Sequence, residues 1–389
     1  MCKITSDRCK FVLFSLIAIL LVVNCTSPRE RNQEMTNEQK IQSVLSKFEK
    51  MRSNKEFSQE QKRLYASLLY HSGRLPEASK IYKGLSAEAN GRDASISAMG
   101  MRIGELFGDA DVRTALFYYL IAVDDIRRGI SHAEEFCDEA IKINPEFAPP
   151  YFSLASLWGL SRYEKLFQNC IMVLELEEID GLLMPQTIDL LAWVKNERTK
   201  KKWVPPVTNA NINEVTEWYG ENEVKEANKE MRRRLYAGLL FHVKRFDDAF
   251  KLYKEILAEG SPHTNIYYRV AEILMMRGEL DSASETLTQG LQAVPKSGRL
   301  HYLNGELLLR QNKAKEAHTF YEQAVKLNPE HAMSYYRLAE LSASEGNDEK
   351  TIHYAISVLE LEEQASPLAT KTITELLPKV IFKPPSPPK

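Results

Sequence analysis

The phrase RLYASLL at residues 63–69 returns as RLYAGLL at residues 234–240, 171 residues later. A second phrase, VLELEE, stands at residues 173–178 and again at residues 358–363, which are 185 residues apart. Because both pairs keep the same order along the chain, the chain is a tandem duplication of one half. The two spacings differ by fourteen residues (185 − 171), so the first half is shorter, and the missing stretch falls within residues 86–118.

A shorter period inside the second half predicts its local structure. Ala249, Ala283 and Ala317 are spaced by 34 residues, and Pro295 and Pro329 repeat at the same interval. Small residues at a fixed period let two helices approach closely, because a bulky side chain there would push them apart. A proline at the end of the second helix stops it, since its ring cannot continue the hydrogen-bonded ladder. The pattern predicts a series of helical hairpins.

These positions resemble the tetratricopeptide repeat family, and the resemblance covers about residues 40–380. In the second half it is also carried by Tyr267, Ala271, Gly278, Gly305, Tyr321 and Ala324. In the first half it is carried by Ala66, Ala78, Tyr82, Ala133, Ala140, Pro145, Tyr151, Leu154 and Ala155. The resemblance implies an all-α fold: an α-solenoid, wound as a right-handed superhelix, of about eight helical hairpins in two duplicated halves, each stabilised by its neighbours.

Residues 1–24 have the composition of a signal peptide. Three basic residues precede a short, almost wholly apolar stretch at residues 11–23, which is too short for a comfortable membrane-spanning helix. The sequence Val-Val-Asn-Cys that ends at Cys25 resembles the lipobox of bacterial lipoproteins, in the looser form found in spirochaetes. In that family the cysteine is lipidated and becomes the first residue of the mature chain. We therefore expect Cys25 to be the lipidation site.

Two alternatives remain open for this segment: an ordinary signal peptide that happens to contain a cysteine, and an uncleaved anchor. By analogy with enteric sorting, Thr26 after the cysteine favours the outer membrane. Residues 25–40 are then the lipidated cysteine and a flexible polar tether. The expected location is the cell envelope, with the lipid in the outer membrane and the protein facing the periplasm.

Two proline-containing segments interrupt the repeats. Residues 200–213 are interpreted as a linker between a first array at 41–199 and a second array at 214–380, because the pair Pro205-Pro206 disfavours helix. Residues 381–389 are interpreted as a proline-rich tail.

Composition and motifs argue against several classes of function. The 389 residues are 44% hydrophobic and 27% charged, as in folded globular proteins. The formal net charge is −2, and removing residues 1–24, which carry +2, leaves −4, whereas nucleic-acid binders carry a basic domain or stripe. The sequence lacks the motifs of metalloproteases, serine hydrolases and nucleotide-binding proteins. We therefore expect no enzyme activity, metal, cofactor, nucleic acid or small-molecule substrate.

Two pairs of residues occupy equivalent positions in the repeats. Cys137 and Cys170 fall in the second helices of adjacent repeats and are interpreted as core residues, with a disulfide between them left open. His71 and His242 each end a first helix in the two halves, and are interpreted as buried helix-end histidines.

The first helices of three successive repeats carry the same pair of residues, four positions apart and therefore on one helix face. The pairs are Tyr268 and Glu272, Tyr302 and Glu306, and Tyr336 and Glu340. The family resemblance implies that first helices line a concave groove that binds segments of partner proteins. We predict that these six residues contact a protein or peptide segment with basic, aromatic or proline residues. The competing interpretation is that the tyrosines pack between repeats and the glutamates form a solvated face.

Together these features predict a lipid-anchored, non-enzymatic scaffold or adaptor that binds a protein partner in its groove in the bacterial cell envelope. The alternative is an accessory lipoprotein subunit of an outer-membrane assembly, pilus or secretion machine.

Overall fold

A computed structural model describes most of the chain between Thr36 and Phe382. The described residues are 36–51, 57–89, 93–103, 114–129, 132–158, 162–178, 181, 183–198, 212–222, 229–260, 263–362, 364 and 366–382. Several predicted segments lie outside these residues: the signal peptide, Cys25, the tether up to residue 35, residues 200–211 of the linker and residues 383–389 of the tail.

The described residues form helices and no strand, which confirms the predicted all-α fold. In the first half the helices are α1 (Asn37–Met51), α2 (Gln59–His71), α3 (Leu75–Glu88), α4 (Ala94–Ile103), α5 (Ala115–Arg128), α6 (Ala133–Ile143), α7 (Ala148–Trp158), α8 (Tyr163–Leu176) and α9 (Met184–Arg198). In the second half they are α10 (Ile212–Asn222), α11 (Lys229–His242), α12 (Phe246–Ala258), α13 (Thr264–Met276), α14 (Leu280–Ala293), α15 (Gly298–Arg310), α16 (Ala314–Leu327), α17 (Ala332–Ser344), α18 (Asp348–Leu361), α19 (Pro367–Lys371), a π-helical turn (Thr372–Leu376) and α20 (Leu377–Ile381).

The hairpins of the second half follow the 34-residue period. The repeated alanines Ala249, Ala283 and Ala317 are fully buried on second helices, where neighbouring helices approach. The turn inside each hairpin contains one residue in the left-handed region, for example Gly278 with φ of 80° and Asn312 with φ of 60°. Glycine and asparagine adopt this conformation with little strain, so the sequence favours turns at these two residues, whereas Lys244 takes it in the first hairpin with φ of 64°.

The chain divides into two compact units. Among the described residues, unit 1 contains residues 122–313, and unit 2 contains residues 36–121 and 314–382. Unit 2 is therefore made of two chain segments that pack on each other but whose covalent connection runs through unit 1.

In unit 1 the end of the first half packs on the start of the second half. Helices α8 and α9 contact α10 and α11, and we call this packing junction A. Its core includes Leu174, Leu191, Tyr219 and Leu235, all buried. The ring of Phe167 meets that of Tyr219 edge-on, with 5.7 Å between ring centroids.

In unit 2 the end of the second half packs on the start of the first half. Helix α18 contacts α2 and α4, and the π-helical turn after it contacts α1; we call this packing junction B. Its core includes Ile41, Leu45, Leu68, Leu359 and Ile373, all buried. Junction B therefore joins segments that lie at opposite ends of the described chain.

A buried tyrosine in the second helix of the first hairpin of each half shows how the halves have diverged. In unit 2 the hydroxyl groups of Tyr82 and Ser67 form a hydrogen bond of 2.7 Å. The equivalent residues in unit 1 are Tyr253 and Gly238 (82 + 171 and 67 + 171). The described residues supply no hydrogen-bond partner to the Tyr253 hydroxyl. A Cβ at residue 238 would lie 3.0 Å from the Leu174 Cβ, so the glycine gives α11 room beside α8.

This difference predicts opposite effects of one substitution. Tyr82→Phe should lower the free energy of unfolding by about 1 kcal/mol, because it leaves the Ser67 hydroxyl without its partner. Tyr253→Phe should leave it unchanged or raise it by about 1 kcal/mol, because it removes a buried hydroxyl that no described residue bonds. Urea unfolding followed by circular dichroism measures both, and equal losses in the two variants would contradict the prediction.

Candidate functional site

The three predicted groove tyrosines have buried side chains. Tyr268 and Tyr302 lie on α13 and α15 of unit 1, and Tyr336 lies on α17 of unit 2. The guanidinium carbon of Arg299 lies 4.0 Å from the centre of the Tyr268 ring. The Nζ atom of Lys371 lies 4.8 Å from the centre of the Tyr336 ring. In this structure Tyr268 and Tyr336 therefore lie beneath neighbouring side chains, and the prediction that the three tyrosines contact a partner stays a prediction.

The predicted groove glutamates are more accessible than the tyrosines. Arg269 donates to the Glu272 carboxylate at 2.7 Å, and Arg337 donates to the Glu340 carboxylate at 2.8 Å. The two carboxylate side chains are 17% and 34% exposed. Glu306 is partly exposed, and a leucine stands three positions before it, where the other two helices carry an arginine. Each glutamate thus keeps some contact with solvent.

The C-terminal end of α8 lies close to Tyr268 and Glu272 and accepts hydrogen bonds from one histidine and two arginines. His242 donates to the carbonyl of residue 174 at 2.8 Å. Arg299 donates to the carbonyls of residues 175 and 176 at 2.9 and 3.0 Å, and Arg269 donates to those of residues 174 and 177. The last carbonyl groups of a helix have no partner within it, and the partial negative charge there favours cations. These side chains therefore fix the end of α8 against α11, α13 and α15.

Each junction contains a buried arginine–glutamate pair. In junction A the carboxylate of Glu175 is fully buried and accepts two hydrogen bonds from Arg234, at 2.8 and 2.6 Å, and one from Asn265 at 3.3 Å. In junction B the carboxylate of Glu360 is buried and accepts two hydrogen bonds from Arg63, one of them at 3.0 Å. Two parallel bonds from one guanidinium fix both position and orientation of the pair.

The end of α18 in junction B repeats the end of α8. His71 donates to the carbonyl of Leu359 at 2.9 Å. Arg102 donates to the carbonyls of residues 360 and 362 at 2.8 Å, and to that of residue 361 between them. The two junctions therefore use the same chemistry with different numbers of arginines.

A group of carboxylates influences protonation near Tyr268. Desolvation raises the pKa of Glu177 to about 7. Burial raises the pKa of Glu272, and the charge of Glu178 raises it further, against the lowering effect of Arg269. The Tyr268 hydroxyl donates to the exposed Glu178 at 3.3 Å. Like charges disfavour one another's ionised form, so Glu178 and Arg269 act on the pKa of Glu272 in opposite directions.

The described part of the chain shows no arrangement for catalysis by a metal or a thiol. It contains no group of three or more His, Cys, Asp or Glu side chains placed to hold a metal ion. Cys137 and Cys170 are buried free thiols, and burial raises the pKa of Cys137 to about 12 and that of Cys170 above its usual range. Among the described helices, none has both the length and the apolar content needed to cross a membrane.

The arginines of the junctions were not predicted from the sequence, although a signal for them exists. Arg63 and Arg234 open the two copies of the phrase RLYAxLL, and Glu175 and Glu360 lie in the two copies of VLELEE. The two phrases that the duplication kept most alike are therefore the two that contact each other. Treating repeated phrases as contact partners would have found the pairs.

Family models for the tetratricopeptide repeat match residues 240–307 and 298–331. The matched region, residues 240–331, therefore contains tetratricopeptide repeats, a kind of module that generally serves as a protein-binding scaffold. It covers the hairpins from the end of α11 to the turn before α17. No curated protein matches the chain.

Several solved structures resemble this chain at low identity. MamA from Desulfovibrio magneticus RS-1 is 17% identical, with 45% of this chain and 94% of that chain covered, at a TM-score of 0.34. YrrB, described as a TPR protein with an unusual peptide-binding site, is 13% identical, with 61% and 96% covered, at a TM-score of 0.32. PilF from Pseudomonas aeruginosa is 13% identical, with 65% and 94% covered, at 0.32. These similarities are too distant to carry an argument about function.

Proposed function

We propose that this chain, whose residues 240–331 are tetratricopeptide repeats, is a lipid-anchored, non-enzymatic scaffold of the bacterial cell envelope that holds a basic segment of a partner protein. The anchor is Cys25, and the protein faces the periplasm from the outer membrane.

One observation carries the proposed binding site: accessible carboxylates gather around buried tyrosines in unit 1. Glu178 is exposed, while Glu272 and Glu306 are partly exposed on the first helices α13 and α15. Because Tyr268 and Tyr302 are buried, the carboxylates rather than the rings present the recognition groups to a partner. Lysine or arginine side chains of an incoming segment would complement this charge and set the rate and specificity of association.

The test of the binding site removes charge without changing shape. The variant Glu272→Gln/Glu306→Gln is compared with Glu255→Gln/Glu285→Gln, a control that changes two exposed glutamates on the second helices α12 and α14. After crosslinking in the native cell and affinity capture, mass spectrometry should identify a partner with the unmodified chain and with the control. Its yield should fall at least about tenfold with the groove variant, as expected when electrostatic complementarity is lost.

Equal recovery from the groove variant and the control would contradict the proposed site. Binding of a peptide copied from the crosslinked region of the partner, measured at two salt concentrations, checks the charge complementarity directly. The affinity should weaken as salt rises, because salt screens interactions between exposed charges.

The proposed anchor has its own test. The variant Cys25→Ser should leave the membrane fraction and lose incorporation of a fatty-acid label that the unmodified chain carries. Two buried hydrocarbon chains bind a membrane far more firmly than one, so the change in partition should be close to complete. Retention of the fatty-acid label in Cys25→Ser would contradict the assignment of the cysteine, and loss of the label without release from the membrane would favour an uncleaved anchor.

A further inference from the structure

Junction B is closed without a local chain connection. Its two sides are helices α1, α2 and α4 and helices α18 to α20, which belong to the two separate segments of unit 2. In junction A the corresponding sides, α8 with α9 and α10 with α11, follow one another along the chain. The contacts of junction B therefore depend on complementary surfaces alone.

Those surfaces are specific enough to select each other. The buried pair of Arg63 with Glu360, the bond of His71 to the end of α18, and the three bonds of Arg102 all cross the junction. The Gln364 side chain adds a bond to the carbonyl of Tyr70. A buried carboxylate needs a cation in one defined position, so the fit depends on register as well as on apolar area.

Junction B is the more easily opened of the two. The side chain of Arg63 is 25% exposed, whereas that of Arg234 is 12% exposed. A less buried ion pair lowers the free energy needed for local opening.

We propose that, when junction B opens, its two surfaces bind the matching surfaces of a second copy of this chain. Helices α18 to α20 of one copy pack on α1, α2 and α4 of another, and the reverse pairing closes the second junction. Exchange of identical elements between copies creates no new kind of contact. The free-energy cost is therefore mainly that of opening junction B in each copy and of bringing two chains together. Glu360 of each copy then pairs with Arg63 of the other.

Charge reversal tests this exchange. One chain carries Arg63→Glu and a second carries Glu360→Arg, so each alone has like charges facing across its own junction. In an exchanged pair of the two variants, both junctions again join opposite charges. Native mass spectrometry of the full chains in detergent should show a one-to-one heterodimer in the mixture, at an excess of at least about tenfold over either homodimer.

The control places both substitutions in one chain. Arg63→Glu/Glu360→Arg restores an oppositely charged pair across junction B and should show the helical content and the proportion of dimer of the unmodified protein. A mixture of the single variants that stays monomeric, while this control is folded, would overturn the proposal.

A second measurement uses unmodified chains and tests the exchange even if the single variants fail to fold. Isotope-labelled and unlabelled unmodified chains are mixed over a range of concentrations and incubated with and without mild urea. Dimers that contain one labelled and one unlabelled chain, rising with concentration and formed faster in mild urea, support exchange. Absence of mixed dimers at every concentration would overturn it.

Discussion

Replacing Arg234 with alanine is expected to lower the free energy of unfolding by about 3–5 kcal/mol. The reason is that Glu175 is fully buried and loses the guanidinium that donates two of its hydrogen bonds, leaving an uncompensated charge in the core of junction A. Urea unfolding followed by circular dichroism measures the loss.

The matched control is Arg245→Ala, which removes an arginine from exposed ion pairs with Glu217 and Asp248. Its side chain is 42% exposed, so the loss should stay below about 1 kcal/mol. Replacing both members of the buried pair, as Arg234→Met/Glu175→Leu, should recover most of the loss, because no charge is then left buried. Equal losses in Arg234→Ala and Arg245→Ala would contradict the role given to burial.

Acidification should destabilise junction B through His71. Burial lowers the pKa of His71 from 6.5 to about 4. The folded state therefore favours the neutral ring, and this contribution to stability is fully present above pH 6.5 and is lost as the pH falls to about 4. A difference of this size corresponds to about 3 kcal/mol.

The measurement compares the unmodified chain with His71→Gln between pH 7.5 and pH 4. Glu177 acts in the opposite direction, because its raised pKa of about 7 makes its buried carboxylate less costly as the pH falls towards 4.5. Since both chains keep Glu177, the difference between their unfolding free energies isolates His71. Over this range the free energy of unfolding of the unmodified chain should fall by about 3 kcal/mol more than that of the variant. A difference that stays constant with pH would contradict the prediction.

The hairpins could be predicted from the sequence because their contacts are local. Ala283 and Ala317 are buried at the positions that the 34-residue period indicates, and turns follow at residues such as Gly278 and Asn312 that tolerate a left-handed backbone. Spacing, small side chains and turn chemistry all act within one or two repeats, so the sequence shows them directly.

The two junctions could not be predicted in the same way. A repeat period pairs each hairpin with the next one, and no period relates Arg63 to Glu360, which are 297 residues apart. Residues Ile212 and Asn213 of the predicted linker begin α10, one of the helices of junction A. Their helical conformation follows the packing against α9 and α11, which outweighs local preference in a short helix.

The candidate site was predicted in part. The spacing of four residues placed Tyr268 and Glu272 on one helix, and in the structure the charges of Arg269 and Glu178 act on the pKa of Glu272. The burial of Tyr268 could not be predicted, because it depends on Arg299 from the next hairpin and on the end of α8. A helix periodicity gives the direction of a side chain, while its exposure is determined by the element that packs over it.

The equivalence of the two junctions also bears on the origin of the chain. One half carries both sides of a junction: the start, with the phrase RLYAxLL, and the end, with VLELEE. Two copies of an ancestral half-length protein could thus have joined start to end twice, as a symmetric homodimer in which each buried ion pair crossed between subunits. Gene duplication and fusion would then have made one of these intersubunit interfaces the covalently linked junction A, and left the other as junction B.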